Sequence, residues 1–196
     1  MRSIATSTSK QKKAIREVSV VMKTVIIIAA GIIAVIALLG GVVALIGSRL
    51  PQTHVVSRSI VLRQSPPDVY AVVRDFDSAP TWRSDLKQLE VDRHTSGPVR
   101  FREVATHGTV NYELVEDVPA QRMVTRILDT DLGYAGQWTY TFAAENGGTR
   151  VTIREDGEVS NVLFRFMSRY VFGQTSTIDS YLTSLAKRFG EEAVLQ

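Results

Sequence analysis

The run Ser59-Ile60-Val61-Leu62-Arg63-Gln64-Ser65-Pro66-Pro67-Asp68-Val69-Tyr70-Ala71-Val72-Val73-Arg74-Asp75-Phe76 changes character halfway along. Its first four residues close a stretch from His54 that is rich in Val, Ile and Ser, the composition of a strand. Ser65 then stands as a helix N-cap, and Pro66 and Pro67 fall in a first turn whose N–H groups have no intrahelical partner to lose. Asp68 meets the positive end of the helix dipole. Val69, Val72, Val73 and Phe76 recur at helical spacing, and a second short helix is expected across Pro80, Trp82 and Leu86.

Downstream, strand-like runs alternate with turn signals. Residues 88–93 precede Thr95-Ser96-Gly97-Pro98, and residues 99–105 precede His107-Gly108. Residues 110–116 lead into a turn at 117–121, and residues 123–128 into a longer loop at 129–136. Residues 138–144 and 150–155 flank Glu145-Asn146-Gly147-Gly148, where Asn-Gly is a strong hairpin signal. Alternation in Trp138/Tyr140/Phe142 and Val151/Ile153 predicts one buried and one wet face. The end reads as one helix from Ser160 or Asn161 to about Ala193. Its stripe is Ile178, Leu182, Leu185 and Phe189, and Gly173 is a candidate kink. Strands with helices on one face make an α+β fold of residues 52–196.

Upstream, residues 24–48 carry no charge and lie between Lys23 and Arg49. About 20 apolar residues cross a bilayer as a helix, so this segment is expected to span a membrane. Its length favours a retained anchor over a cleaved signal, whose apolar region is about 7–15 residues. The charge is uneven. Residues 1–51 hold seven basic side chains and one acidic, a net +6, whereas residues 52–196 hold 16 basic and 19 acidic, a net −3. Residues 1–23 thus form a basic arm, Ser/Thr/Lys-rich and disordered in style. The Lys/Arg excess before the span predicts a cytoplasmic N-terminus, with residues 52–196 outside the cytoplasm. Met22-Lys23 also reads as a translation start, and from there most of that bias disappears. A mildly acidic folded part speaks against nucleic acid as a partner.

The order of these elements resembles the START-like (SRPBCC) helix-grip superfamily, which includes polyketide cyclase/dehydrase-type and lipid-transfer proteins. Ser59-Ile60-Val61-Leu62, Ser65-Pro66-Pro67-Asp68-Val69-Tyr70, Asp75, Phe76, Pro80 and Trp82 carry the likeness. So do Gly148-Thr149-Arg150-Val151-Thr152 and Leu182-Thr183-Ser184-Leu185. The chain is similar to members anchored by one N-terminal helix. The resemblance implies a curved antiparallel sheet of about seven strands around a long C-terminal helix, with an apolar cavity for sterols, lipids, quinones or polyketides between them.

No G-x-S-x-G, H-E-x-x-H, P-loop or dinucleotide-binding glycine pattern is present, and there is no Cys. His54, His94 and His107 are scattered, so no metal or cofactor is expected. Period 2 puts Glu155 on the face of Val151 and Ile153, while Glu113 faces away from Tyr112 and Leu114. A carboxyl in an apolar cavity could transfer protons. Glu155 and Glu113 are therefore the candidate bases, with Tyr112 or Tyr140 to polarise a carbonyl. The alternative for Glu155 is a strand end at which it is solvated or paired with an Arg such as Arg126 or Arg154. The expected ligand wall is Ile60, Leu62, Trp138, Tyr140, Phe142, Val151, Ile153, Phe164, Met167 and Val171. Phe164 and Phe166 with Arg165 and Arg169 also suit contact with a membrane surface.

The favoured function is a membrane-anchored binding or carrier domain for a hydrophobic small molecule, leaning against an enzyme. A cyclase/dehydratase-type enzyme using a cavity carboxylate is the second reading. An envelope interaction module with a closed cavity is the third. No oligomeric state follows from the sequence.

Overall fold

The computed structural model describes residues 3–93, 97–106 and 108–196, with side chains described from Met22 onward. His94 and His107 lie outside the described residues. The chain divides into two compact units, residues 1–48 and 49–196.

The first unit is a helix, α1 (Ser3–Arg49). It begins at Ser3 and so takes in most of the segment expected as a disordered arm. Residues 3–30 contain neither Pro nor Gly to interrupt it. Its part Met22–Arg49 is long and apolar enough to cross a membrane, and a signal sequence near an N-terminus has the same character. The most apolar 18 residues of that part have no buried residue.

In the second unit, strand β1 (Thr53–Leu62) runs into α2 (Pro66–Arg74) through the Ser65-Pro66-Pro67 start, and a 3₁₀ turn follows at Ala79–Thr81. Six more strands succeed one another: β2 (Leu86–Asp92), β3 (Arg100–Ala105), β4 (Gly108–Val118), β5 (Arg122–Ile127), β6 (Tyr134–Glu145) and β7 (Gly148–Val159). All seven pair antiparallel in the order β1-β7-β6-β5-β4-β3-β2. The first strand therefore joins the last, and the curved sheet wraps the C-terminal helices as a helix-grip α+β fold.

The C-terminal segment differs from the single helix expected. It comprises α3 (Val162–Met167), a π-helical turn (Ser168–Phe172) and α4 (Ser176–Arg188). Asn161 starts α3 as the cap, its side chain accepting from the Phe164 N–H at 3.0 Å. Gly173, at φ 80° and ψ 140°, is in a conformation that no helix contains, so the break is complete where a kink was expected. Gly190, at φ 71°, turns the chain just past the end of α4, well short of Ala193.

Packing follows strand parity. Ile60 and Leu62 of β1, Tyr140 and Phe142 of β6, and Val151 and Ile153 of β7 point to the concave side. There they meet Ile178, Tyr181, Leu182 and Leu185 of α4 and Val69 and Val73 of α2 in one buried cluster. The convex side carries charge in cross-strand rows. Glu113 on β4 stands directly between Arg100 on β3 and Arg126 on β5 and accepts from both. Arg122 pairs with Glu116 and Arg154 with Asp156 on the same outer surface.

Candidate functional site

The concave face changes composition along its length. Towards the end where β1 starts and β7 finishes, its aliphatic floor gives way to rings and charges. Trp138 and Tyr140 of β6 and Tyr181 of α4 pack mutually, with centroids 5.7–6.0 Å apart. Trp82, from the loop after the 3₁₀ turn, meets Tyr181 edge-on at 5.4 Å. Tyr112 of β4 stacks on Phe101 of β3 at 5.3 Å. Burial, the largest cause, pushes the phenols of Tyr112, Tyr140 and Tyr181 well above their ordinary value of 10; the Glu103 charge adds to this and the Arg83 charge opposes it. Trp82 Nε1 is buried without a partner among the described residues. Buried phenol and indole groups normally find partners. Here the Trp82 indole is left to serve a bound molecule.

Two charged groups border these rings. Arg83 is 9% exposed and forks onto Glu103 and Asp85, with Nη2 donating to Asp85 at 2.8 Å and its guanidinium 5.1 Å from the Tyr181 ring. Ser84 hydrogen-bonds Ser184 of α4 at 3.2 Å, which fixes this loop on the helix. On the other side, the Glu155 carboxylate accepts from Trp138 Nε1 at 2.8 Å and from His54 Nε2 at 3.0 Å. Cross-strand register explains both contacts. Glu155 is paired with Trp138 on β6, and His54 with Gly157 on β7. Gly157 leaves the space in which the imidazole lies, since a Cβ there would come within 2.4 Å of His54 Cε1.

Of the residues read from the sequence, Ile60, Leu62, Tyr140, Phe142, Val151 and Ile153 are buried on the concave side, and Trp138 packs against them half-buried. Phe164 and Val171 lie outside the interior, 45% and 56% exposed, and Met167 is half-buried. The broken helix is the cause, because α3 and the π turn do not continue the buried stripe of α4. Glu155 faces inward as parity required, but its partners are His54 and Trp138. Arg126 and Arg154 are occupied on the convex side by Glu113 and Asp156. Glu113 is on the wrong side of the sheet to share a site with Tyr112. Hydrogen bonds from Arg126 and Arg100 hold its carboxyl below the usual carboxylate range, so it is a poor base. Arg165 is also not at a surface. It is 8% exposed, and its Nη1 donates to the Leu50 carbonyl at 3.0 Å.

His54, Trp82, Arg83, Asp85, Glu103 and Tyr181 escaped the sequence reading as site residues. Period 2 along β3 would have put Glu103 with Phe101, but nothing local connects it to Arg83, 20 residues earlier. Among the described residues no cluster of three or more His, Cys, Asp or Glu could hold a metal. A surface cleft of about 380 Å³ lies between the end of α2 and the β2–β3 connection. Its Arg93 and Asp77 are paired with each other.

The tyrosines give a direct check on burial. Because their folded values lie above the unfolded value of about 10, the folded state holds these protons more tightly. The corresponding stability is intact below about pH 10 and is lost as pH rises through the folded values. Tyr70, half-buried and bonded to Asp117, is likewise pushed up to about 12. In an alkaline titration, most of the phenolate absorbance should appear only together with unfolding. A large rise while the circular dichroism is still native would contradict the closed ring cluster.

The sequence model of the family described as "Polyketide cyclase / dehydrase and lipid transport" matches residues 53–190. No curated protein matches the chain. Solved structures share the fold at low identity. Norcoclaurine synthase from Thalictrum flavum superposes with a TM-score of 0.57 at 10% identity, over 71% of this chain and 88% of that one. A START superfamily protein from Mycobacterium smegmatis gives 0.56 at 15%, over 69% and 96%. The di-domain ARO/CYC StfQ from the steffimycin biosynthetic pathway gives 0.55 at 15%, over 71% of this chain but only 52% of that protein.

Proposed function

From the membership of this chain in the polyketide cyclase / dehydrase and lipid transport family, we propose that it is a membrane-anchored domain that binds a hydrophobic small molecule, a lipid, quinone or polyketide-like compound, on the concave face of its sheet. The observation that carries this reading is the ring wall of Trp82, Trp138, Tyr140 and Tyr181 beside Tyr112, in which the buried Trp82 Nε1 bonds no described residue. Apolar walls with a few convergent polar groups are what a ligand site needs. The rings would supply the apolar surface, and the phenols and Trp82 Nε1 would orient carbonyl or hydroxyl oxygens.

Met22–Arg49 serves as the retained anchor, with the N-terminus cytoplasmic and residues 52–196 outside. Its length and the Lys/Arg excess before it support that orientation. An anchored site suits such a ligand, because each exposed methylene costs about 0.8 kcal/mol in water. Exchange at the membrane surface avoids that cost.

The test uses the chain's own reporters. Trp82 and Trp138 are its only two tryptophans, and both belong to the ring wall. Titrating the full chain in detergent with a quinone should quench their emission saturably, at one molecule per chain. A non-saturating response, repeated with a phospholipid and an aromatic polyketide, would overturn the carrier reading and favour an interaction module with a closed cavity.

The His54–Glu155 pair favours a second reading, a cyclase/dehydratase-type enzyme in which Glu155 moves a proton with Tyr112 near the substrate carbonyl. Replacing Glu155 by Gln distinguishes the two. In a carrier the quinone titration is unchanged and nothing else is lost. In an enzyme, turnover of any accepted substrate disappears while binding survives.

A further inference from the structure

The segment between β7 and α4 gathers exposed apolar surface in one place. Leu163, Phe164, Tyr170, Val171 and Phe172 are 45–64% exposed within ten residues of chain. The π turn swings Tyr170, Val171 and Phe172 outward together, with Arg169 exposed beside them. Gly173 then breaks the path before α4.

The same segment is fastened to the start of the folded unit. Arg165, buried one residue after Phe164, donates to the carbonyl of Leu50. Leu50 is the residue that immediately follows α1. Arg165, between the two groups of exposed apolar side chains, thereby ties this segment to the residue that follows the apolar helix. Among the described residues, the other exposed large apolar side chains of the folded unit are Val55, Val115 and Val118 on strands and Val194 and Leu195 near the C-terminus.

We infer that residues 163–172 form a shoulder that inserts into the bilayer surface crossed by α1, with Arg169 and Arg49 at the level of the lipid phosphates. This rests on the reading of α1 as a membrane anchor. Aromatic and aliphatic side chains interleaved with Arg are the composition of interfacial segments. Tethering keeps this bilayer permanently within reach, so the shoulder needs little intrinsic affinity. A protein partner would have to compete with a surface that is always present. The shoulder follows directly from β7, whose last residues lie beside the start of β1. Insertion therefore turns the end of the sheet that carries His54, Glu155 and Trp138 towards the lipid, the side from which an apolar ligand would come.

The chain contains no cysteine, so single cysteines can be spin-labelled without background. Phe164→Cys and Phe172→Cys report on the shoulder, Val118→Cys on an exposed strand, and Ile33→Cys on the middle of α1. Each full-length variant is placed in nanodiscs of mixed phosphatidylcholine and phosphatidylglycerol. Collision with oxygen is then compared with collision with a water-soluble nickel chelate. The labels at 164 and 172 should favour oxygen over the chelate several-fold relative to the label at 118. If they match the label at 118 while Ile33 reports the bilayer interior, the shoulder is wrong and the anchor stands. If they are shielded from both reagents, the surface is covered by protein and the inference fails. A chelate-accessible label at 33 would overturn the anchor and the shoulder together.

Discussion

Replacing Arg83 by Met will destabilise the folded unit by about 3–5 kcal/mol, the usual cost of breaking a buried ion pair by removing one partner. The guanidinium is 9% exposed and is the shared counter-charge of Glu103 and Asp85, whose side chains are 13% and 16% exposed. Met preserves much of the volume but leaves two carboxylates facing each other in a cluster of rings. Urea denaturation of the full chain in detergent, followed by tryptophan emission, measures the loss. The triple variant Arg83→Met/Asp85→Asn/Glu103→Gln should recover most of it, because no charge is then left uncompensated. A single substitution that costs under about 1 kcal/mol would instead place the triad in the class of weakly contributing surface pairs.

The second large effect is expected from Leu182→Ala. Leu182 is fully buried on the inner face of α4, among Ile178, Tyr181 and Leu185 and against the sheet. Truncating such a leucine costs about 2–5 kcal/mol through lost transfer energy and the void left behind. Val171→Ala, on the exposed π turn, should stay within about 0.5 kcal/mol. The contrast between the two, in the same denaturation experiment, measures how firmly the sheet grips α4. A loss at Leu182 below about 1 kcal/mol would mean that this half of the concavity is loosely filled, and the packed floor described above would be wrong.

Local pattern carried much of the fold. The strand-to-helix change around Ser65 and the Asn146-Gly147 hairpin are decided by neighbours in sequence, and they stand where expected. The same holds for the inward parity of Val151, Ile153 and Glu155. The aliphatic floor was legible for that reason. The polar part was not, because its contacts depend on register between distant strands. His54 meets Glu155 across 101 positions, and Arg83 reaches Glu103 from a loop. The C-terminal helix was misread for a different reason. An apolar segment from Val162 to Phe172 looks like buried helix, and only the conformation at Gly173 turns it out to the surface.

The pairing of the first strand with the last also has a consequence for synthesis. β1 emerges from the ribosome directly behind the apolar helix, yet the strand it pairs with, β7, ends at Val159. For roughly five to twenty seconds at ordinary elongation rates of about 5–20 residues per second, β1 has no partner to pair with. Its closure is a high-contact-order event and among the slower steps available to a domain of this size. Synthesis of α1 and closure of the sheet are therefore separated in time. On the proposed reading of α1 as an anchor, the chain reaches the membrane before its sheet can close.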